Sequence, residues 1–170
     1  MSWWDSEVTE ASEASPELAD GAALLNTRSS VENGVMTFLN DCWGNRTAVS
    51  WSAMNVNFDP SEPRKDFEDN DTFLIPSLVH FSSDVVEYPA TDSAIVSTYS
   101  LALNLLTSPN SGMGHVQEHV EKLRTIFELK SLSIGDATAD FELIEAKAGF
   151  LSSTGDHWET PVSVLFTAIT

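Results

Sequence analysis

Two histidines on one predicted helix could bind a metal ion. His115 and His119 are four residues apart, which places both imidazoles on one face of a helix, as in two-histidine metal sites. Such a site needs a third ligand and a partly buried face. Glu118 lies between them, but no third ligand is identifiable, and the His-Glu-x-x-His motif is absent because position 116 is valine. The pattern therefore favours two solvent-facing histidines, and we expect no metal, no cofactor and no catalytic residues.

Two other segments and one cysteine carry chemistry-bearing residue types. The acidic stretch 66–71 resembles the start of a calcium loop but lacks the glycine and closing glutamate of an EF-hand. Residues 111–114, Ser-Gly-Met-Gly, precede a helix as in anion-binding turns, without the lysine of a P-loop. Cys42, the only cysteine, occupies an apolar helical position and is expected in the core. No Gly-x-Ser-x-Gly motif is present, so the sequence does not indicate an enzyme.

The charge of the chain is strongly one-sided. Its 170 residues include 26 Asp and Glu against 8 Lys and Arg, a formal net charge of −18, and residues 66–121 contain no Lys or Arg. Such a surface repels nucleic acid and anionic membranes. It suits a partner with basic patches or a conduit that DNA passes without sticking, and it equally suits an acidic surface that keeps a protein soluble in salt.

The location of the protein is predicted from what its sequence lacks. No apolar run is long enough to span a bilayer, and the first residues have neither the basic nor the apolar region of a secretory signal. We therefore expect no membrane partner, and a protein made in the cytoplasm and kept or assembled there.

The N-terminal part of the chain is predicted to be an arm followed by a helix. Residues 1–28 are acidic and predict a mobile or partner-ordered arm, on which Trp3 and Trp4 are expected to dock a partner. A helix is predicted to begin near Ser29, because Ser29 and Glu32 have the spacing of a capping box, and to end at Gly44. An acidic loop at 59–71, which has the length of a projecting tip or an interface loop, comes next.

The remainder predicts strands and a second helix. The strand 73–81 is predicted at an edge or bulged because Pro76 lies within it, and its apolar face is predicted to comprise Phe73, Ile75, Val79 and Phe81. Residues 84–92 are predicted to form a loop with at most a short extended piece. The strand 95–105 alternates, with its odd-numbered residues on one face. A second helix is predicted over residues 115–129. Two further strands, 139–149 and 158–169, are predicted to form a hairpin. The predicted fold class is α+β: a mainly antiparallel β-sheet with two helices packed on it, in a single domain spanning 29–170.

The order of these motifs resembles the tail terminator, or tail completion, proteins of long-tailed bacteriophages. The resemblance covers about residues 29–169, and its motifs are Phe-Leu-Asn-Asp-Cys-Trp-Gly at 38–44, Thr-Ala-Val-Ser-Trp at 47–51, Asn-Val-Asn-Phe-Asp-Pro at 55–60, Leu-Arg-Thr-Ile-Phe at 123–127, Gly-Asp-His-Trp at 155–158 and Val-Ser-Val-Leu-Phe at 162–166. The chain departs from the family pattern in its acidic arm, at Ala53-Met54, and at Leu165, where members often have proline.

The resemblance implies a structural virion protein at the tail–neck junction. Such proteins form a ring, typically hexameric, that caps the tail tube, ends its polymerisation and joins it to the neck, with a lumen for DNA. The implied partners are further copies of the chain, the tail tube protein and a neck, stopper or connector protein. We expect the following residues at the lumen or a subunit interface: Asp66, Glu68, Asp69, Asp71, Trp3 and Trp4. The alternative is an acidic DNA mimic that inhibits a host DNA-binding enzyme.

Overall fold

The structure, a computed structural model, describes residues 16–49, 68–87, 93–111 and 113–170. These residues form the following elements: α1 Pro16–Trp43, β1 Thr47–Val49, β2 Asp69–Glu87, β3 Ser93–Thr107, α2 Met113–Phe127, β4 Ser131–Ile134, β5 Ala137–Ala146, β6 Phe150–Leu151, β7 Trp158–Thr160 and β8 Val162–Ile169. The strand order is β1-β2-β3-β8-β5-β4, with β7 paired to β3 and β6 paired to β7. Within the described parts, β1–β2 is parallel and the other pairs are antiparallel. The predicted α+β fold class is confirmed.

Helix α1 begins well before the predicted position. It starts at Pro16, whose fixed φ and missing N–H suit the first turn of a helix. Ser29 lies inside the helix, and Glu32 pairs with Arg28 one turn earlier, at 2.9 Å, so the predicted capping box is wrong. The boundary predicted between residues 28 and 29 lies within this one helix. Its predicted end is confirmed, because Gly44 has φ 60° and its N–H bonds the carbonyl of Asn40 at 3.0 Å.

The long strand β3 is the centre of the sheet, and its inward face is the predicted one. Tyr99, Leu101, Leu103 and Leu105 are all essentially buried. β3 pairs with β2 along one edge and with β8 and β7 along the other. An alternating strand with partners on both sides buries one face completely, so this is where the core lies.

The predicted inward face of β2 is wrong. Leu74 is buried and opposes Leu105, whereas Val79 and Phe81 are 47% and 61% exposed. The even-numbered residues of the first half of β2 therefore face the core. β2 also continues to Glu87, through part of the predicted loop. Its bulge falls between residues 80 and 82, and Pro76 lies where no described strand pairs with the outer side of β2, so of the two predicted alternatives the edge is confirmed and the bulge at Pro76 is wrong. The sequence alternation is weak here because apolar residues occur on both faces.

Both helices pack on the inward face of the sheet. α2 buries the predicted stripe of Val116, Val120, Leu123, Ile126 and Phe127, and α1 buries Val31, Val35 and Leu39. Cys42 packs partly buried against this core, as predicted. Neither helix, in the part the structure describes, is long and apolar enough to cross a bilayer.

The C-terminal part of the chain contains two hairpins. The loop 152–156, with Gly155 at φ 76°, joins β6 to β7 as predicted, and β5 pairs with β8. The second hairpin, in which Gly135 at φ 59° joins β4 to β5, was not predicted. β4 follows α2 closely and forms the far edge of the sheet.

Gly34 allows α1 to lie close to β4. A Cβ at this position would collide with the branched part of the Ile134 side chain. Replacing a helical glycine by alanine usually gains up to about 1 kcal/mol, but overpacking costs about 1–3 kcal/mol. We expect Gly34→Ala to lower the free energy of unfolding by about 1–2 kcal/mol, measured by urea denaturation. Gly114→Ala is the matched control, because nothing lies within 4 Å of a Cβ there, and it should not destabilise the protein. Equal effects of the two substitutions would contradict the close packing.

Tyr99 should make stability depend on alkaline pH. Burial raises the pKa of Tyr99 above its ordinary value of 10.0, partly offset by a hydrogen bond with Ser97. A raised folded-state pKa favours the neutral phenol in the native protein, so this stabilisation is complete below pH 10 and is lost as pH rises through the folded pKa. We expect Tyr99→Phe to have a flatter stability profile above pH 10 than the wild type, measured by denaturation at successive pH values. Parallel profiles for the two proteins would rule this contribution out.

Candidate assembly surfaces

The structure describes the side-chain exposure of two of the four acidic residues predicted at a lumen or interface. Glu68 and Asp71 are exposed at the start of β2. The Glu68 N–H bonds the carbonyl of Asn45 at 3.0 Å, and the Asp71 carbonyl accepts from the N–H of Ser108 at 3.1 Å. These bonds tie the segment to the turn after α1 and to the loop after β3. Two predicted carboxylates therefore lie at one end of the sheet, next to two loops.

The other predicted site residues have less structural information. Asp69 is the first residue of β2, whereas Asp66, Trp3 and Trp4 lie outside the described residues. Their predicted roles at a lumen or interface stay predictions.

The prediction that His119 faces solvent is wrong. This side chain is only 3% exposed, and its Nδ1 accepts a hydrogen bond from Nε of Arg46 at 3.1 Å. Its ring lies 5.7 Å from that of Trp43 and 5.0 Å from that of His115. In the described parts of the chain, no group of three His, Cys, Asp or Glu residues is arranged to hold a metal ion. The two histidines thus belong to a packed junction.

This junction connects α1, β1 and α2. Nε1 of Trp43, at the end of α1, donates to the hydroxyl of Thr47 in β1 at 2.9 Å. Arg46 lies in the turn between them and reaches His119 in the middle of α2. Buried polar groups with such partners fix the relative position of the elements that carry them. The junction therefore positions β1, which in turn pairs with the acidic start of β2.

The outer edge of β2 is open over most of its length. β1 reaches β2 only as far as Leu74, and no described residue pairs with the outer edge from 75 to 87. Ile95 of β3 exchanges backbone hydrogen bonds with Thr170, at 2.9 and 3.0 Å, on the side away from β2. Val85, opposite Ile95 in the register, therefore also directs its N–H and C=O away from β3. By the same alternation, Ser83 directs its backbone groups to the open edge.

Exposed apolar side chains are concentrated along this open strand. Val79, Phe81, Val85 and Val86 are 47%, 61%, 66% and 37% exposed. Long, apolar edge strands pair readily with another chain. Pro76 and the bulge near Phe81 interrupt the edge, so the uninterrupted part available for pairing is 82–87.

The opposite edge of the sheet, β4, is also open among the described residues. Phe141 of β5 donates its N–H to the carbonyl of Lys130 at 2.8 Å, just before β4 begins. Alternate residues of β4 therefore bond β5, while Ser131 and Ser133 direct their backbone groups outward. Within the described ranges, one subunit thus has two unpaired strand edges on opposite sides of one sheet.

The face of the sheet opposite the helices carries little charge at its centre. The outward positions of β3 and β8 hold no charged residue: Val96, Thr98, Ser100, Ala102, Asn104, Leu106, Ser163, Leu165, Thr167 and Ile169. Most are half-buried, and Leu165 and Ile169 are 42% and 39% exposed. In a chain of net charge −18, a neutral, partly apolar surface of this kind is suited to a protein contact.

Comparison with known proteins gives a likeness of fold. No family model and no curated protein matches the chain. A solved structure matches it with a TM-score of 0.58 and 11% sequence identity, over 83% of this chain and 94% of that chain. At this identity the likeness shows the fold alone: two helices with a mainly antiparallel, curled sheet.

Two features that define these surfaces were not predicted from the sequence. The open β4 edge was hidden because 131–134 is short, although Gly135-Asp136 between alternating residues is a recognisable turn signal. The Arg46–His119 bond joins residues 73 positions apart, and no local pattern indicates such a contact.

The junction should contribute measurably to stability. Arg46→Met keeps an apolar side chain but removes the donor to Nδ1 of the buried His119. Loss of a partner to a buried polar atom costs about 1–3 kcal/mol, and we expect a decrease of that size in the free energy of unfolding. Lys122→Met, on the same side of the molecule but without an ion pair to a described residue, should change it by less than about 0.5 kcal/mol. Urea denaturation of the two variants compares them directly, and similar losses would argue against the hydrogen bond.

Proposed function

We propose that this protein is a tail terminator subunit of a long-tailed bacteriophage. It forms a ring, with six subunits the expected number, that caps the tail tube, ends its polymerisation and joins it to the neck while DNA passes through the lumen. The observation that carries the proposal is the single sheet whose two edges, β2 beyond Leu74 and β4, are unpaired among the described residues. Two different edges on one subunit allow head-to-tail contacts, which form a ring when the rotation between neighbouring subunits closes.

The charge of the chain supports a conduit rather than a DNA-binding protein. At −18 per subunit, a ring of several copies repels the phosphates of passing DNA and lowers non-specific adhesion. Glu68 and Asp71, exposed together at one end of the sheet, are suited to a lumen or a subunit interface. The proposal extends the same role to Asp66 and Asp69.

The mass of the protein in solution tests the proposal. Light scattering should give a closed multiple of the 18.6 kDa subunit, with about six copies expected from the resemblance. The multiple should be more populated at high salt, because salt screens repulsion between acidic subunits. A monomer at all salt concentrations, in a protein that also fails to cap purified tail tubes, would contradict the proposal.

The acidic cluster has its own test. The variant Asp66→Asn, Glu68→Gln, Asp69→Asn, Asp71→Asn removes four carboxylates without large changes of volume. We expect slower DNA passage, measured as delayed genome ejection, or a changed ring mass. Substituting the same number of carboxylates on the exposed side of β5 and its turn, at Asp136, Asp140, Glu142 and Glu145, gives a charge-matched control. Normal ejection and mass in the first variant would contradict the assigned role.

A DNA mimic is the second candidate, favoured by exposed carboxylates along one strand. Asp140, Glu142 and Glu145 are exposed on β5, and strand spacing separates such groups by several ångströms, comparable to phosphates. A mimic acts as a monomer or dimer. It should bind a DNA-binding enzyme from host lysate, and added duplex DNA should compete for that enzyme and abolish the binding. A closed ring in solution, or no competition by DNA, excludes this candidate.

A further inference from the structure

We propose that residues 83–87 of β2 pair, as a parallel ladder, with the edge of β4 in a second copy of this chain. The inference rests on the proposed ring and specifies its subunit contact. Both edges are unpaired among the described residues, and each directs alternate backbone groups outward. Unpaired N–H and C=O groups of an edge strand are satisfied by water or by another strand, and a second strand also covers the apolar side chains.

The direction of the ladder follows from the topology. Moving across the sheet from β2 through β3, β8 and β5 to β4, every step is antiparallel. Four reversals leave β2 and β4 running in the same direction. Copies related by rotation about an axis along the strands keep that direction. β2 of one copy therefore meets β4 of the next as a parallel neighbour, and the sheet continues from subunit to subunit.

The outward backbone groups also fix a register. In a parallel ladder, a residue whose N–H and C=O groups point towards the neighbouring strand does not bond the residue directly opposite. It bonds the residues immediately before and after that one. Ser131 faces outward, and Ser83 and Val85 face outward on the other strand, so Ser131 lies opposite an even-numbered residue of β2. Asp84 is the position at which Ser131 and Ser133 both bond residues within 83–87, between the bulge and the end of the strand. Ser133 then lies opposite Val86. Asp84 and Ser131 are both exposed on the outer face, so the inward and outward alternation continues across the junction, as a stable register requires.

Charge favours this head-to-tail arrangement over a symmetric one. Asp84 is exposed, Lys130 immediately precedes β4 and is exposed, and neither has an ion pair with a described residue. The register places Lys130 opposite Ser83, beside Asp84. A symmetric β2–β2 dimer would instead bring two Asp84 carboxylates onto one short ladder, where like charges are destabilising. The head-to-tail pairing leaves a β2 edge at one end and a β4 edge at the other, so the same contact can repeat from subunit to subunit and close.

Engineered cysteines test the register directly. In a Cys42→Ala background, Asp84→Cys and Ser131→Cys are combined in one chain, because opposed residues on adjacent strands are about 5 Å apart, within reach of a disulfide. Mild oxidation should convert most of the protein into covalent multiples of the subunit, resolved by denaturing electrophoresis. Each single-cysteine variant should stay monomeric. Asp84→Cys with Thr138→Cys, also exposed but one strand further in, is the matched control and should form no multiples.

The outcomes separate this inference from the proposed function. Multiples from the 84/131 pair alone support the ladder. A closed ring by light scattering without multiples overturns the ladder and leaves the terminator proposal standing. A covalent dimer from Asp84→Cys alone establishes a symmetric contact and overturns the ladder as well. A wild-type protein that is monomeric at every salt concentration, fails to cap tail tubes and gives no multiples contradicts both.

Discussion

An aromatic stack through the centre of the molecule is the contact on which the rest of the structure depends. The ring of Phe166 in β8 stacks on Tyr99 in β3, with centroids 4.9 Å apart and planes within 6°, and lies 4.8 Å from Phe141 in β5. Phe141 contacts Phe127 of α2 at 5.0 Å, and Phe127 contacts Phe38 of α1 at 5.8 Å. Large aromatic side chains contribute most of the apolar area of a core. This one stack therefore joins three strands to both helices.

The edge strands of the sheet contribute fewer buried side chains to the core than the central strands β3, β8 and β5. The side chains of residues 81–86 in β2 are all exposed, and those of β4 alternate between exposed and half-buried. An edge that contributes little to folding can be used for assembly without loss of the fold, because its contacts are not needed to close the core. The concentration of exposed valine and phenylalanine on β2 is unfavourable for an isolated subunit and favourable for one that is covered in an assembly.

The sequence predicted the parts of the fold whose pattern is local. These parts are the apolar stripe of α2, the alternation of β3, the helix end at Gly44 and the hairpin loop at 152–156. Each depends on residues that are close together in the sequence. The start of α1 could not be found in this way, because Ser29 and Glu32 have the spacing of a cap but also that of ordinary helical neighbours. The face of β2 failed because Phe73 and Val79 on one side compete with Leu74 and Leu78 on the other, and only the register with β3 decides between them.

The candidate surfaces were less accessible to prediction, for a related physical reason. An open edge is defined by which strands do not lie beside it, and that is a property of the sheet order rather than of any segment. The same holds for His119, whose burial depends on Arg46 and Trp43 from another helix and its following turn. The predicted role of the acidic residues 66–71 rests on composition and resemblance, and the structure adds the positions of Glu68 and Asp71.

Electrostatics restrict where two copies of this chain can meet. Bringing together subunits of charge −18 is unfavourable over distances up to the screening length, about 10 Å at 0.1 M salt. Any stable contact must therefore hold its carboxylates apart or use the few basic residues the chain has. The outer face of β3 and β8 meets the first condition and Lys130, beside the β4 edge, meets the second. Both features adjoin the same sheet, so a contact through its edges can place Lys130 near Asp84 while covering the exposed apolar residues of β2.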